Sequence, residues 1–287
     1  MPSTKNTATL LVTCPDAKGI VSAIAEFLYQ RNANIVHADQ HEDAEQSLFL
    51  MRVEWDLNGF MLPIEDFVQE FSSIAQRFSM TWQLKRSRKP SRVAIMVSQY
   101  DHCLVDLLHR QRNGELDCVI PLVISNHREA ANLANFYQVP FEYIPVSQDS
   151  KAESEAKQLD LLKHHHIDLL VLARYMQILS PQFIVHFPYQ IINIHHSFLP
   201  AFVGARPYHR AFERGVKLIG ATSHYVTEVL DEGPIIEQGL ERISHRDQVS
   251  DLIKKGRDLE RIVLSKAVHW HIENRILVYA NKTVIFD

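Results

Sequence analysis

Residues 191–238 read IINIHHSFLPAFVGARPYHRAFERGVKLIGATSHYVTEVLDEGPIIEQ, and this stretch decides the fold predicted for the larger part of the chain. It opens with an apolar strand in which Asn193 and His195 share one face, because side chains alternate along a strand. Buried parallel strands are expected to be apolar throughout, and open α/β sheets bind ligands at the carboxyl ends of their strands. Next, GATSHYV predicts a second strand, and LDEGPII predicts a turn that carries Asp231 into a third. The polar residues therefore indicate a functional strand end.

Asn193, His195 and Asp231 together supply three complementary chemical groups. An amide donates a hydrogen bond to a developing oxyanion, an imidazole moves a proton, and a carboxylate orients the imidazole and fixes its charge. Each residue also has a purely structural interpretation: a strand-end histidine bonded to backbone, a loop-capping amide and an ordinary turn acid. The spacing of the three residues leaves both interpretations open.

The motifs N-I-H, S-x-L-P and D-x-G-P-I-I occur in this order within INIHHSFLPAFVGARPYHRAFERGV and GATSHYVTEVLDEGPII. This combination resembles the formyltransferase family that uses 10-formyltetrahydrofolate, and it is most similar to the formyltetrahydrofolate deformylases over essentially the whole chain. The resemblance implies that Asn193, His195 and Asp231 are catalytic. It implies no metal and no cofactor besides the folate substrate, because amide and imidazole do the polarising. His224, on the strand that leads to Asp231, is expected to complete a water network.

Two further segments are similar to the part of this family that surrounds the folate. One is ARYMQILS at residues 173–180, and the other directly precedes the catalytic acid. The residues implied to bind folate are Gln177, Ile178, Leu179, Val226, Thr227 and Glu228. Related enzymes often carry arginine where this chain has Gln177, so a weaker contact with the benzoyl-glutamate end is expected there. Without the resemblance, ARYMQILS would be interpreted as a core strand that runs into a loop.

The segment SQYDHC, residues 98–103, forms the first strand-to-helix junction of the larger domain and contains no glycine. Transformylases that act on a phosphorylated amine resemble one another in a glycine-rich loop here, whose backbone amides hold the phosphate. Asp101 would repel a phosphate, so water becomes the natural acceptor. We therefore expect hydrolysis of 10-formyltetrahydrofolate to tetrahydrofolate and formate, which supplies formate and balances one-carbon folate pools for purine synthesis. The alternatives are formyl transfer to an amine and a folate-binding regulatory protein.

Length and composition limit the possible partners of the chain. Its 287 residues suggest two domains, and 46% hydrophobic with 22% charged residues is typical of a globular protein. The net charge is −4, so the chain lacks the excess of basic residues that is typical of nucleic-acid-binding proteins. No apolar run reaches membrane-spanning length, and the N-terminus shows no signal-peptide pattern. The three separated cysteines indicate neither a disulfide framework nor a zinc site, so a cytoplasmic protein is expected.

Residues 8–84 predict a small domain of their own, with the strand and helix order β-α-β-β-α-β of a ferredoxin-like unit. The segment CPDAKGIVSAIAEFL, followed by NANIV, resembles an ACT domain. An α+β, ACT-like domain is therefore expected over residues 1–85. It would either pair subunits into a homo-oligomer or bind a small regulatory ligand, and the sequence favours neither role.

Residues 86–92 predict a charged linker, and residues 93–287 predict the catalytic domain. In the catalytic domain strands alternate with helices, which indicates a Rossmann-like parallel sheet with helices on both faces. A long helix and a β hairpin around residues 280–281 are predicted to close the chain. His37 and His41 lie on a predicted strand, where their spacing separates them too far to share a metal, so a solvated edge is expected.

Overall fold

The computed structural model describes residues 6–87, 89–200 and 207–286. The chain divides into two compact units, Met1–Pro90 together with Asn274–Asp287, and Ser91–Glu273. The predicted linker over residues 86–92 includes Arg88, which lies outside the described residues, as do residues 201–206 of the stretch that carries the motifs.

The first unit contains a four-stranded sheet and two helices. Its elements are β1 (Thr7–Pro15), α1 (Ile20–Tyr29), β2 (Asn34–Asp43), β3 (Leu48–Asp56), α2 (Phe67–Arg77) and β4 (Thr81–Arg86). The strands lie in the order β2-β3-β1-β4, and each pair of neighbours is antiparallel. The β-α-β-β-α-β prediction is therefore confirmed. Strand β2 forms an edge and is largely exposed, as expected for the histidines at positions 37 and 41.

An aromatic cluster holds both helices of the first unit against the sheet. Trp55 of β3 stacks on Phe67 of α2 with ring centroids 5.5 Å apart. Phe27 of α1 contacts Phe67 and Phe71 edge-on, at 5.4 and 5.3 Å. All four side chains are buried. Burial of each large apolar side chain contributes about 2 kcal/mol, so this cluster is the main reason why the two amphipathic helices dock.

The second unit is a seven-stranded sheet with helices between its strands. Its elements are β5 (Ser91–Val97), α3 (His102–Arg112), β6 (Cys118–Ser125), α4 (Ala131–Phe136), β7 (Phe141–Tyr143), α5 (Lys151–His164), β8 (Leu169–Leu172), α6 (Pro181–Ile184), β9 (Ile191–His195), α7 (Pro207–Arg214), β10 (Leu218–Tyr225), β11 (Ile235–Arg242) and α8 (Val249–Ile272). The strand order is β11-β10-β9-β8-β5-β6-β7. None of the helices in the described ranges is long and apolar enough to cross a membrane.

The sheet of the second unit is parallel only in part. Strands β9, β8, β5, β6 and β7 run parallel, whereas β10 pairs antiparallel with β9, and β11 pairs antiparallel with β10. A parallel connection needs a crossover of a dozen or more residues, and only the short loop of residues 226–234 joins β10 to β11. The prediction of a parallel α/β sheet is confirmed for five strands and is wrong for β10, which runs antiparallel to both of its neighbours.

The C-terminal hairpin belongs to a different compact unit from the one that the sequence predicted. It consists of β12 (Ile276–Tyr279) and β13 (Lys282–Ile285), and it belongs to the first compact unit although residues 93–287 were predicted as one domain. Leu277 and Phe286 pack on Leu11 and Leu50 of the four-stranded sheet. Arg52 Nε also donates to the carbonyl of Asn274 at 2.9 Å. The hairpin thus covers apolar side chains that the two helices leave uncovered.

Candidate active site

Strand β9 and its neighbour β10 place three polar side chains together. The antiparallel register sets His224 directly opposite Asn193, with His195 two residues further along β9. The Nδ2 atom of Asn193 donates to Nε2 of His224 at 3.2 Å. On the other side of that ring, Nδ1 of His224 donates to the carbonyl of Tyr225 at 2.9 Å. This second contact occupies Nδ1, so Nε2 of His224 is the ring nitrogen turned toward Asn193 and Asp231.

Asp231 lies between the two histidines. Its Oδ2 atom is 3.3 Å from Nδ1 of His195, and its Oδ1 atom is 3.6 Å from Nε2 of His224. Burial alone would raise the pKa of Asp231, but the hydrogen bonds and charges of His195 and His224 outweigh burial and hold that pKa below its usual value. The carboxylate is therefore charged at neutral pH and can orient His195.

The turn that carries Asp231 has a backbone that few residues allow. Asp231 has φ +58°, in the left-handed region that aspartate tolerates better than most side chains. At Gly233 a Cβ atom would lie 1.8 Å from the carbonyl oxygen of Tyr225. Only glycine fits there, so the D-x-G-P sequence is what allows this loop to return the carboxylate to β9.

His195 keeps one ring nitrogen free for chemistry. The residue is 7% exposed, and its buried Nε2 atom has no hydrogen-bond partner in the part of the chain that the structure describes. Because Nδ1 faces Asp231, Nε2 is the atom available to a ligand. The predicted residues Asn193, His195, Asp231 and His224 are thus brought together, and all four line one cavity.

This cavity has a volume of about 590 Å³, in the range of small-molecule sites. Its wall also contains each of the six residues predicted to bind folate, which are Gln177, Ile178, Leu179, Val226, Thr227 and Glu228. Leu172 and Ile184 add apolar surface. The segment after Leu179 is anchored by Glu155, whose Oε1 accepts from Ser180 N at 2.9 Å and whose Oε2 accepts from Ser180 Oγ.

Ser98 of the glycine-free loop is fully used in internal hydrogen bonds. Its hydroxyl donates to Oδ1 of Asn126 at 2.7 Å and accepts from the backbone N–H of Met176 at 2.9 Å. Its own N–H donates to the carbonyl of Arg174 at 3.3 Å. The loop therefore positions the start of the ARYMQILS segment.

Comparison with known proteins identifies the family. The family model described as formyl transferase matches residues 91–268, and the ACT domain model matches residues 8–75. Formyltetrahydrofolate deformylase from Synechocystis sp. is 56% identical over 98% of this chain and 98% of its own length. The enzyme of that name from Bacillus subtilis is 51% identical over 97% of this chain and 93% of its own.

Solved structures agree. A formyltetrahydrofolate deformylase from Pseudomonas syringae is 47% identical, with a TM-score of 0.95 over 98% of this chain and 95% of that one. The chain belongs to the formyltetrahydrofolate deformylase family. By contrast, glycinamide ribonucleotide transformylase 1 from Symbiobacterium toebii is 30% identical, with a TM-score of 0.66, and covers 69% of this chain and 95% of its own. The predicted family, its ACT domain and its formyltransferase domain are confirmed.

This deformylase-family cavity contains a second polar cluster, which sequence reasoning missed. Glu260 of α8 is 1% exposed. It accepts hydrogen bonds from Nε2 of His102 and from the hydroxyl of Tyr208, both at 2.7 Å. Nε of Arg174 lies 3.4 Å from the same carboxylate. Burial alone would raise the pKa of Glu260, but His102, Arg174 and Tyr208 lower it below its usual value.

Local geometry brings this second cluster of the deformylase-family chain together. A Cβ atom at Gly256 would lie 2.0 Å from the hydroxyl of Tyr208, so glycine on α8 lets that ring approach the helix. Arg174 has φ +63°, a left-handed conformation that costs on the order of 1 kcal/mol for a side chain of this size. One sequence signal could have found the cluster: Glu260 follows Leu252 and Gly256 at helical spacing, so a charge lies on the apolar face of α8.

Proposed function

We propose that this chain hydrolyses 10-formyltetrahydrofolate to tetrahydrofolate and formate. The proposal is supported by the near-complete coverage of deformylase-family relatives. The observation that carries it is the state of His195, whose Nδ1 lies 3.3 Å from Asp231 and whose buried Nε2 has no partner among the described residues, two residues along β9 from Asn193. These groups are what attack of water on a formyl carbon requires.

In the first step water attacks the formyl carbon, and negative charge develops on the formyl oxygen. We assign stabilisation of that oxygen to the Nδ2 amide of Asn193 and to protonated His195. Preorganised donors of this kind are worth about 3 kcal/mol each in a site that excludes water. The negative charge of Asp231, 3.3 Å from Nδ1 of His195, orients the ring and stabilises positive charge on it during the reaction.

The second step breaks the bond between the formyl carbon and N10 of the folate. His195 donates its Nε2 proton to the departing nitrogen, and the attacking water gives a proton to the carboxylate of Asp231. Asp231 then releases that proton to solvent and Nε2 of His195 takes one up from solvent, which restores the site. His224 contacts Asn193 and Asp231, so it is placed to hold the attacking water. Atoms balance: water supplies the hydroxyl of formic acid and the hydrogen that ends on nitrogen.

The folate is assigned to the wall formed by residues 177–179 and 226–228. Backbone groups there are suited to the polar edge of the pterin, and apolar neighbours suit its ring faces. Gln177 offers an amide where an arginine would offer a charge, so it contributes less to a benzoyl-glutamate contact. Water is assigned as acceptor because Ser98 is engaged internally and the loop of residues 98–103 has no glycine cradle.

We propose that the reaction uses no metal and no cofactor besides its folate substrate. His102, Cys103 and Glu260 do place possible ligand atoms within 4.8 Å of one another. However, the guanidinium of Arg174 already lies beside Glu260, and burial raises the pKa of the Cys103 thiol well above its usual value. A resident cation and a protonated thiol both disfavour a metal ion at this place.

The setting of the enzyme is also proposed. We assign it to the cytoplasm, since its three cysteines are all free and buried. We assign its metabolic role to the supply of formate and to the balance of one-carbon folate pools for purine synthesis. We assign the ACT domain to pairing of subunits in a homo-oligomer, supported by the exposed edge of β2. A small regulatory ligand near Gly19, which has φ +94°, is the alternative role.

The test is formate release from 10-formyltetrahydrofolate by the purified full chain, without an added amine. Multiple turnovers of formate, in equal amount to tetrahydrofolate, are expected. Turnover that appears only after an amine is supplied would make the chain a transferase. Folate binding without turnover under either condition would leave a regulatory binding protein and overturn the proposal.

A further inference from the structure

One side of the cavity carries two arginines with too little negative charge to balance them. Arg174 is 9% exposed and lines the cavity, and its Nε atom lies 3.4 Å from Glu260. Its two terminal nitrogens hydrogen-bond to no residue within the described ranges. Arg257 lines the same cavity and is exposed. The guanidinium carbons of Arg174 and Arg257 lie 5.5 and 5.4 Å from the centre of the Tyr100 ring.

The charges of these side chains leave an excess of one positive charge. Among the described residues that line this part of the cavity, Glu260 is the carboxylate, and His102 and Tyr208 already donate to it. His196 adds no charge, because burial and the positive charge of Arg174 lower the pKa of its ring to about 3. Arg174 meets Glu260 through Nε only, and Arg257 has no carboxylate partner among the described residues lining the cavity, so a small anion between the two guanidinium groups would balance the excess charge.

The arginine pair is close to the atoms that react. His196 follows His195 directly, with ring centroids 5.3 Å apart, and the Tyr208 ring lies 6.1 Å beyond His196. Tyr208 in turn contacts Glu260, which is the partner of Arg174. An ion formed at His195 therefore has a short path, along one wall of one cavity, to the guanidinium of Arg174, whose terminal nitrogens are not used by Glu260.

We propose that Arg174, together with Arg257 and the ring of Tyr100, forms a subsite for a small carboxylate, and that formate binds there as it leaves the reacting centre. The inference rests on the proposed hydrolysis, which generates formate beside His195. A guanidinium donates two parallel hydrogen bonds to a carboxylate, and the two terminal nitrogens of Arg174 are available for this geometry. The role assigned to Arg174 is product binding.

The experiment compares formate binding by wild-type protein, Arg174→Gln and Arg257→Gln, using calorimetry with sodium formate at constant ionic strength. The loss of a bidentate, charge-assisted pair is expected to weaken formate binding about tenfold or more in Arg174→Gln, and product inhibition by formate should weaken in parallel. Arg257→Gln, at the exposed end of the subsite, should weaken binding by roughly a few fold. Arg112→Gln is the matched control, because Arg112 is also exposed and lies over aromatic rings but does not line the cavity.

Equal formate affinity in wild type and Arg174→Gln would overturn the subsite, and so would an equal loss in the Arg112→Gln control. If Arg174→Gln does not fold, Arg257→Gln decides, and unchanged affinity in that variant overturns the proposal. Tighter binding of inorganic phosphate than of formate would assign the arginines to another anion and also overturn it. Failure of the proposed hydrolysis is distinct: no formate would be released from substrate, whereas added formate would still bind in an Arg174-dependent way.

Discussion

Replacement of Asp231 by Asn removes one charge from the site and changes little else. Asparagine has nearly the same shape as aspartate, and it tolerates the left-handed φ of +58° at this position. The amide oxygen of asparagine, placed where Oδ2 of Asp231 lies, can accept from Nδ1 of His195, so the ring keeps its orientation. The substitution therefore tests the charge of Asp231 separately from the geometry of its loop.

The expected size of the effect follows from the distance between the two groups. Opposite charges 3.3 Å apart attract by about 5 kcal/mol at an effective dielectric constant of about 20. Desolvation of the carboxylate and the remaining amide dipole offset part of this, which leaves about 3 kcal/mol of transition-state stabilisation. The turnover number of Asp231→Asn should therefore fall on the order of a hundredfold.

The assay measures kcat and KM for formate release, the equilibrium affinity for tetrahydrofolate and the thermal unfolding midpoint. The affinity should change little, because the charge acts on His195 and not on the folate, whereas the midpoint should fall by the stability that the charge of Asp231 contributes at neutral pH. Glu232→Gln is the matched control, since it removes the next carboxylate along the same turn, on an exposed side chain. A kcat within about threefold of wild type in Asp231→Asn would refute the role of the charge.

Three other predictions concern stability, binding and pH. Phe286→Ala should lower the free energy of unfolding by about 3 kcal/mol, measured by urea titration, because it uncovers the apolar face around Leu50. Glu155→Gln should raise KM for the folate roughly tenfold with little change in kcat, since it weakens the anchor of Ser180; an equal fall in kcat would contradict a binding role. The pKa of Asp231 is lowered on folding, so its contribution to stability is present above pH about 4 and is lost as pH falls further. The difference in unfolding free energy between wild type and Asp231→Asn should shrink over that acidic range, and a constant difference would contradict the assignment.

The fold was predictable wherever local patterns determine it. The continuous apolar run of β5 and the helical spacing of α1 each specify an element without reference to the remainder of the chain. The direction of β10 and the location of the hairpin are different, because tertiary contacts decide them. Leu277 and Phe286 pack on Leu11 and Leu50, which come more than two hundred residues earlier in the chain. The pattern of apolar and polar residues in the segment 276–285 does not predict which sheet the hairpin covers.

The same distinction applies to the cavity. Asn193, His195 and Asp231 could be singled out because the motifs N-I-H and D-x-G-P-I-I resemble those of a known family, whereas their spacing alone left a structural interpretation open. Arg174 and Glu260 lie on separate elements, the loop after β8 and helix α8, and the sequence signals only that Glu260 lies on the apolar face of its helix, not which residue pairs with it. They become a cluster only when folding buries them with Arg174 Nε 3.4 Å from the carboxylate of Glu260, in the wall of the cavity. Motifs therefore predict the groups that act on the formyl carbon, whereas the electrostatics that govern a departing anion depend on pairings that the linear sequence does not contain.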